Sequence, residues 1–454
     1  MFLVSLRGMT GQAIDHPEQI GVGSTLPLDK ILSEVRRYWG YTSLRPHQEA
    51  AIRAGLEHRD SLVVLPTGGG KSLCYQVPPL LAERTDIVVS PLISLMKDQV
   101  DGLRACGYPA AALHSGLTPD ERHNTLNDVV TGKHRLVFVA PERLMTSGFL
   151  SMLSRVDVRS FAIDEAHCIS HWGHDFRPEY RQLSQLKQEF PRASIHAYTA
   201  TATERVRRDI IEQLGLDEAA LLVGTFDRPN LAYRVVARLD VNRQVLEVIR
   251  RHRDEAVIVY CISRKDTEAL AEFLRVQKVK AAHYHAGMNA DERRQTQEAF
   301  TNEELDVIVA TVAFGMGIDR SNVRCVVHAA MPKSIEHYQQ ETGRAGRDGL
   351  EAECVLFYSF SDFARWKSLL TRSHEDAGAQ AESLDAKLEL LEHLRRYCQP
   401  FHCRHKHLSE YFGQVYEKAN CRACDVCLNE TPDMEDATVP AQMILSCVAR
   451  TEER

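Results

Sequence analysis

Short apolar runs, separated by polar stretches long enough to form helices, recur along this chain. Leu62-Val63-Val64-Leu65, Ile87-Val88-Val89-Ser90, Leu136-Val137-Phe138-Val139 and Phe161-Ala162-Ile163 make a first series; Val257-Ile258-Val259-Tyr260 and Val307-Ile308-Val309 make a second. Alternation of this kind reads as parallel strands crossed by helices, so the expected fold class is α/β with two tandem parallel-sheet domains. The segment Phe226-Asp227-Arg228-Pro229-Asn230 has the proline and polar residues of a connector, and the boundary between the two sheets is set there. From about Phe363 the pattern turns helical, with Leu384, Leu388, Leu391 and Leu394 keeping the spacing of a packing stripe, and then cysteine-rich. Residues before Leu28, rich in glycine and mixed polar types, read as a loosely ordered extension. The expected division is therefore 1–28, 29–226, 227–362, a helical and cysteine-bearing subdomain over 363–430, and a tail over 431–454.

Composition changes this picture little. At about 150 residues per domain, 454 residues suit roughly three domains. Apolar content of 44% and charged content of 26% are ordinary for a globular chain. No run of eighteen apolar residues occurs, and Met1-Phe2-Leu3-Val4-Ser5-Leu6-Arg7 is too short for a signal-peptide core, so a cytoplasmic protein without membrane partners is expected. Twelve cysteines in that setting point to thiols and metal ligands rather than disulfides. The net charge of −7 does not advertise a nucleic-acid partner, although a local basic groove can coexist with an acidic whole.

Four constellations carry chemistry. In Pro66-Thr67-Gly68-Gly69-Gly70-Lys71-Ser72, directly after the first apolar run, glycines let backbone N–H groups converge on an anion, Lys71 reaches terminal phosphates and the Ser72 hydroxyl can ligate Mg2+. The strict pattern wants a further glycine where Leu65 stands. In Asp164-Glu165-Ala166-His167, at the end of another run, Asp164 is suited to hold the metal and Glu165 to orient or deprotonate an attacking water. Taken alone, adjacent acids at a strand end are ordinary solvated loop residues; the phosphate loop upstream changes that reading. Gln340-Glu341-Thr342-Gly343-Arg344-Ala345-Gly346-Arg347 places two arginines three residues apart, on one face of an expected helix start, where guanidinium forks suit phosphate oxygens. Cys421, Cys424 and Cys427 offer three thiolates at two-residue gaps, a spacing that wraps a loop around Zn2+. Spacing alone leaves the fourth ligand open among Cys398, His402, Cys403, His405 and His407.

Taken in order, the phosphate loop, Asp-Glu-Ala-His, Thr199-Ala200-Thr201-Ala202-Thr203 and the two-arginine segment resemble the motifs of superfamily 2 helicases. Trp39-Gly40-Tyr41, Leu44-Arg45-Pro46-His47-Gln48, Cys168-Ile169-Ser170-His171-Trp172-Gly173-His174-Asp175-Phe176-Arg177-Pro178 and Ala313-Phe314-Gly315-Met316-Gly317-Ile318-Asp319 narrow the resemblance to the RecQ family, over about residues 29 to 430. The resemblance implies two RecA-like domains closing on ATP, and an ATP-dependent helicase that steps 3′ to 5′ on single-stranded and forked DNA in recombination and repair; sequence does not give the oligomeric state, and a monomer is the expectation. By position it implies adenine recognition by Tyr41, Arg45 and Gln48, nucleotide contacts from Thr67, Gly68, Gly69, Gly70, Lys71, Ser72, Gly317 and Asp319, and phosphate contacts from Gln340, Arg344 and Arg347, with Arg347 as arginine finger. It implies that Trp172, Phe176 and Arg177 form a loop sensing single-stranded DNA, with His171 where the family has glutamine, and that Cys403 is the fourth zinc ligand. Ala441 to Val448 resembles the opening helix of a winged-helix domain, so weaker unwinding than that of a longer relative is expected. An RNA helicase, or an annealing protein with weak ATPase, are the other readings.

Overall fold

The computed structural model describes residues 26–156, 158–312, 314, 320–377, 381–431 and 438–450. Every apolar run singled out above becomes a strand. The first sheet comprises β1 (Ser61–Val64), β2 (Asp86–Val89), β3 (Ala110–Leu113), β4 (Leu136–Val139), β5 (Ser160–Ile163), β6 (Ser194–Thr199) and β7 (Ala220–Val223). Their order is β3-β4-β2-β5-β6-β1-β7 and every pairing is parallel. Helices cover both faces, which is why Leu62, Val63 and Val64 are all fully buried and why the strands read as unbroken apolar runs instead of alternating. At about 1.5–3 kcal/mol for each such side chain, three residues of β1 alone contribute several kcal/mol to seating the loop that follows.

The second sheet comprises β8 (Leu231–Ala237), β9 (Ala256–Tyr260), β10 (Ala281–Tyr284), β11 (Val307–Ala310), β12 (Val323–His328) and β13 (Ala352–Tyr358), in the order β10-β11-β9-β12-β13-β8, again wholly parallel. Between β7 and β8, residues 224–230 join the two sheets.

Beyond β13 come two long helices, Phe360–Ala377 and Ala381–Tyr397, and a shorter one, Arg404–Tyr411. Leu391 and Leu394 of the expected packing stripe are fully buried. The subdomain's helices begin at Phe360, slightly before Phe363. Its cysteine loop completes the open edge of the second sheet. Tyr233 N donates to Ala423 O at 3.0 Å, Asp425 N donates to Tyr233 O at 3.0 Å, and Asp425 Oδ2 accepts from Val235 N at 2.9 Å. These bonds occupy several of the outward N–H and C=O groups of the edge strand β8. A buried two-point ion pair between Arg404 and Asp425, at 2.8 and 3.0 Å, ties the loop to the helix behind it.

The helix after the phosphate loop runs from Lys71 to Leu81, straight through Pro78 and Pro79. Pro78 packs closely against Gly55, where an added Cβ would meet the ring at 2.9 Å. The expected N-terminal extension lies mostly outside the described residues, and its end, Leu28, already begins a helix reaching Trp39. The segment resembling a winged-helix opening is helical over Thr438–Arg450, with Met443, Leu445 and Val448 exposed.

Candidate active site

β1 empties into the phosphate loop at the C-terminal edge of the first sheet, and β5 and β6, its near neighbours, deliver Asp164 and Thr199 to the same edge. A crevice outside the carboxyl ends of strands is where open α/β sheets bind ligands. The loop's glycines are required by geometry: Gly70 has φ +78°, and a Cβ there would come within 2.3 Å of Gln48 Nε2. Gly70 caps the Lys71–Leu81 helix, so several N–H groups and the helix's positive end point into the crevice. Lys71 Nζ donates to the main-chain oxygen of Leu65 at 3.1 Å, and the Leu65 side chain, where the strict pattern has glycine, is buried. Burial holds the Lys71 ammonium below its ordinary range, opposed by the nearby Glu165 and Asp164 carboxylates.

Tyr41, Arg45 and Gln48 converge on this loop. Gln48 is buried; its Nε2 donates to Gly70 O at 3.1 Å and its Oε1 accepts from Arg45 N at 2.7 Å. The Arg45 guanidinium donates to Gly68 O. Tyr41 stays 57% exposed, its ring open to a flat partner. Together with Trp39, Lys71, Ser72 and Arg347 they line a cavity of about 820 Å3, within the size range of ligand sites.

Asp164 is buried behind Lys71, and burial and the adjacent Glu165 raise its carboxyl well above the usual range. Glu165 adopts φ +49°, a left-handed conformation that is strained for a residue with a side chain. Burial would raise its carboxyl, but His167 outweighs that and lowers it; Glu165 Oε2 lies 3.3 Å from His167 Nδ1. The same nitrogen lies 2.9 Å from Thr199 Oγ1, joining Asp-Glu-Ala-His to the Thr199–Thr203 segment.

The second domain approaches this crevice through the turn after the helix Ile335–Thr342. Gly343 sits so close to the phosphate loop that a Cβ on it would meet Thr67 at 2.9 Å, and Arg347 Cγ lies 3.4 Å from where a Gly68 Cβ would stand. Lys71 and Arg347 therefore face one cavity from opposite domains. Arg344 and Gln340 diverge from Arg347 and line a smaller pocket with Glu165 and His167. This corrects the expected helix start: both arginines follow the helix C-terminus in a turn, with Gly346 at φ +56°, and so they serve two different pockets instead of one face. Gly317 and Asp319 lie outside the described residues.

The loop 171–177 hangs beside Asp-Glu-Ala-His. Trp172 lies under the Arg205 guanidinium, 3.1 Å from ring centre, and Phe176 packs on His171 at 3.9 Å. Arg177, expected to meet DNA, is engaged within the protein: it pairs with Asp175 at 3.1 Å and donates to Pro91 O at 3.0 Å. Three residues to which the sequence reading gave no role in the site join it. His174 stacks on His167 at 4.1 Å, and His337 of the second domain meets His174 edge-on at 4.7 Å, so three imidazoles run from the acid motif to the other domain. Arg228 of the connector donates to Gly346 O at 2.9 Å, to Ala345 O at 3.1 Å and to Thr67 O at 3.4 Å, touching the phosphate loop and the arginine turn at once.

In the third subdomain, Cys403, Cys421, Cys424 and Cys427 place their sulfurs within 4.8 Å of one another. Zn–S bonds of about 2.3 Å set tetrahedral sulfurs roughly 3.8 Å apart, so the donor set fits zinc. The geometry chooses Cys403 from the five candidates that spacing left open; Cys398 is buried but is not part of the cluster.

Three family models match the chain in succession: DEAD/DEAH box helicase over residues 45–210, helicase conserved C-terminal domain over 240–349, and RecQ zinc-binding over 360–428. ATP-dependent DNA helicase RecQ of Bacillus subtilis is 44% identical over 430 residues, covering 94% of this chain and 71% of that protein. The chain belongs to the RecQ family. The RecQ helicase of Pasteurella multocida is likewise 44% identical, with 94% of this chain and 67% of that protein covered, and ATP-dependent DNA helicase Q-like 4B of Arabidopsis thaliana is 39% identical over 92% of this chain and 38% of its own. This RecQ protein is an ATP-dependent DNA helicase. Among solved structures, DUF1998 helicase MrfA bound to DNA (TM-score 0.62, 18% identity, covering 74% of this chain and 52% of its own) and DEAD-box helicase Mss116 bound to ssRNA (TM-score 0.62, 20%, 78% of each) share the paired-sheet fold. Among the described residues no helix is long and apolar enough to cross a membrane.

Proposed function

We propose that this helicase hydrolyses one ATP, pinched between its two domains, to step 3′ to 5′ along single-stranded DNA and open forked duplexes in recombination and repair. The observation that carries the reading is the single cavity lined by Lys71 and Ser72 from one domain and Arg347 from the other. Tyr41 would stack on the adenine, with Gln48 and Arg45 bracing the loop beneath it. Lys71 and the loop N–H groups would hold the phosphates, and Glu165, oriented by His167, would take the proton of the attacking water. Mg2+, held through Ser72 and Asp164, would screen the phosphate charge when bound. Arg347 would neutralise transition-state charge, an effect of about 10³–10⁵ in rate for such arginines. Trp172 and Phe176 would offer stacking faces to bases, worth about 1–3 kcal/mol each and independent of sequence. The thiolate set Cys403, Cys421, Cys424 and Cys427 would hold zinc as a structural element.

Polarity, strand preference and duplex preference are tested together. Displacement of a labelled strand is compared on forks carrying only a 3′ or only a 5′ tail and on blunt duplexes, with ATPase stimulation by DNA and by RNA as a parallel arm. Opening only from the 3′ tail and stimulation by DNA alone are expected. Opening from a 5′ tail, or equal stimulation by RNA, would overturn the reading.

A further inference from the structure

The connector between the two sheets is gripped along its length by the zinc-binding subdomain. Gln414 spans two of its residues, accepting from Phe226 N at 2.8 Å and donating to Gly224 O at 2.9 Å. Phe412 stacks on Phe226 with centroids 4.3 Å apart and planes 11° from parallel. Further on, Asp227 meets His405 Nδ1 at 2.7 Å and Lys418 Nζ at 3.0 Å, and His405 Nε2 lies 3.0 Å from Leu231 O. The same short stretch is anchored on both sheets: Arg207 of the first domain donates to Phe412 O at 2.8 Å, while the cysteine loop is hydrogen-bonded to β8 of the second. Gly413 fits against the first domain so tightly that a Cβ there would stand 2.6 Å from Glu204 Oε1.

The part of the connector that this grip leaves over is Arg228-Pro229-Asn230, and it faces the other way. Arg228 bonds Thr67 O on the phosphate loop and Ala345 O and Gly346 O on the arginine turn, and Asn230 Nδ2 donates to Gly346 O at 3.0 Å. A hinge works through the few residues that absorb backbone rotation. Here residues on both sides of Pro229 are held by side chains from outside the two sheets, so the angle at which the domains meet is set by a third body.

We propose that the zinc-binding subdomain is the hinge clamp of this motor, with Gln414 as its positioning residue: by fixing Gly224 and Phe226 it places Arg228, and through Arg228 the spacing between the phosphate loop and the Arg347 turn. The inference rests on the reading that the two domains close over ATP. It assigns Gln414, remote from the nucleotide cavity, an effect on closure that a purely structural residue would not have.

The test is Gln414→Ala in the full chain, with fluorophores placed at exposed Glu57 and Glu272, one on each domain, and the distance distribution read with and without a non-hydrolysable ATP analogue and single-stranded DNA. Zinc content and melting temperature are measured on the same protein. The clamp predicts unchanged zinc and melting, a broader distance distribution in the ligated state, and a KM for ATP raised about ten-fold, a typical size for coupling between sites. Should Gln414→Ala fail to fold, Lys418→Ala, which removes the exposed contact to Asp227 and the cation beside the Tyr416 ring, carries the same expectation at smaller amplitude. A ligated distribution and KM equal to wild type in a folded variant would overturn the clamp. If the wild-type distribution itself does not narrow with analogue and DNA, the closing-cleft reading is what fails.

Discussion

At the scale of single residues, His252 shows how partners decide a charge. Burial alone would lower its imidazolium, but hydrogen bonds to Glu353 and Glu255, both at 2.7 Å, outweigh burial and raise it above the ordinary 6.5. Glu353 is lowered in turn, burial opposing and His252, Arg251 and Arg234 prevailing. A group raised on folding stabilises fully below its unfolded value and loses that contribution as pH climbs through the folded one. His252→Gln should therefore lower the melting temperature most near pH 6, and the gap from wild type should close as pH rises towards 9; a gap constant with pH would contradict the pairing. Gly70 gives a second residue-scale prediction. With φ +78° and Gln48 Nε2 only 2.3 Å from a Cβ, Gly70→Ala strains the loop by about 1–2 kcal/mol and displaces the Gln48 amide. ATP affinity should fall at least ten-fold, read by equilibrium titration, while the zinc subdomain keeps its metal.

At the scale of elements, the strands and the loops that follow them were legible because parallel strands buried on both faces leave unbroken apolar runs, and because Lys71, Asp164 and Glu165 are neighbours of those runs in sequence. The four thiolates of the zinc-binding subdomain were legible only in part: Cys421, Cys424 and Cys427 by spacing, Cys403 by resemblance, since the seventeen residues between Cys403 and Cys421 carry no distance information. What sequence does not show are pairings between elements far apart, such as His174 with His337, or Gln414 with Phe226, where neither partner has a local pattern to betray it. The contact between Pro78, inside the helix Lys71–Leu81, and Gly55 on another helix is likewise absent from any local pattern. Within the loop around Trp172, His174 stacks on His167, which in turn lies 3.3 Å from Glu165. Trp172→Ala should leave DNA-independent ATPase intact and reduce its stimulation by single-stranded DNA about ten-fold, within the usual range of site coupling; normal stimulation in that variant would remove the loop from the coupling route.

At the scale of the whole molecule, one apolar cluster runs through all three parts, with Phe226 and Tyr233 beside the connector, Tyr338 in the second domain, and Tyr397, Leu408 and Phe412 in the third. The zinc site is fastened to that continuous core by the Arg404–Asp425 pair and by the bonds to β8. Cys424→Ser, or chelation, should therefore lower the melting temperature of the second domain as well as the third, read by differential scanning calorimetry; a loss confined to the third subdomain would contradict the shared core. The account as a whole depends on Lys71 and Arg347 acting on one ATP from opposite sides. The most direct measurement is Arg347→Ala with ATP binding and single-turnover hydrolysis determined on the same preparation. Binding within a few-fold of wild type and a hydrolysis rate lower by about 10³ or more is the predicted result, and hydrolysis near the wild-type rate would contradict it.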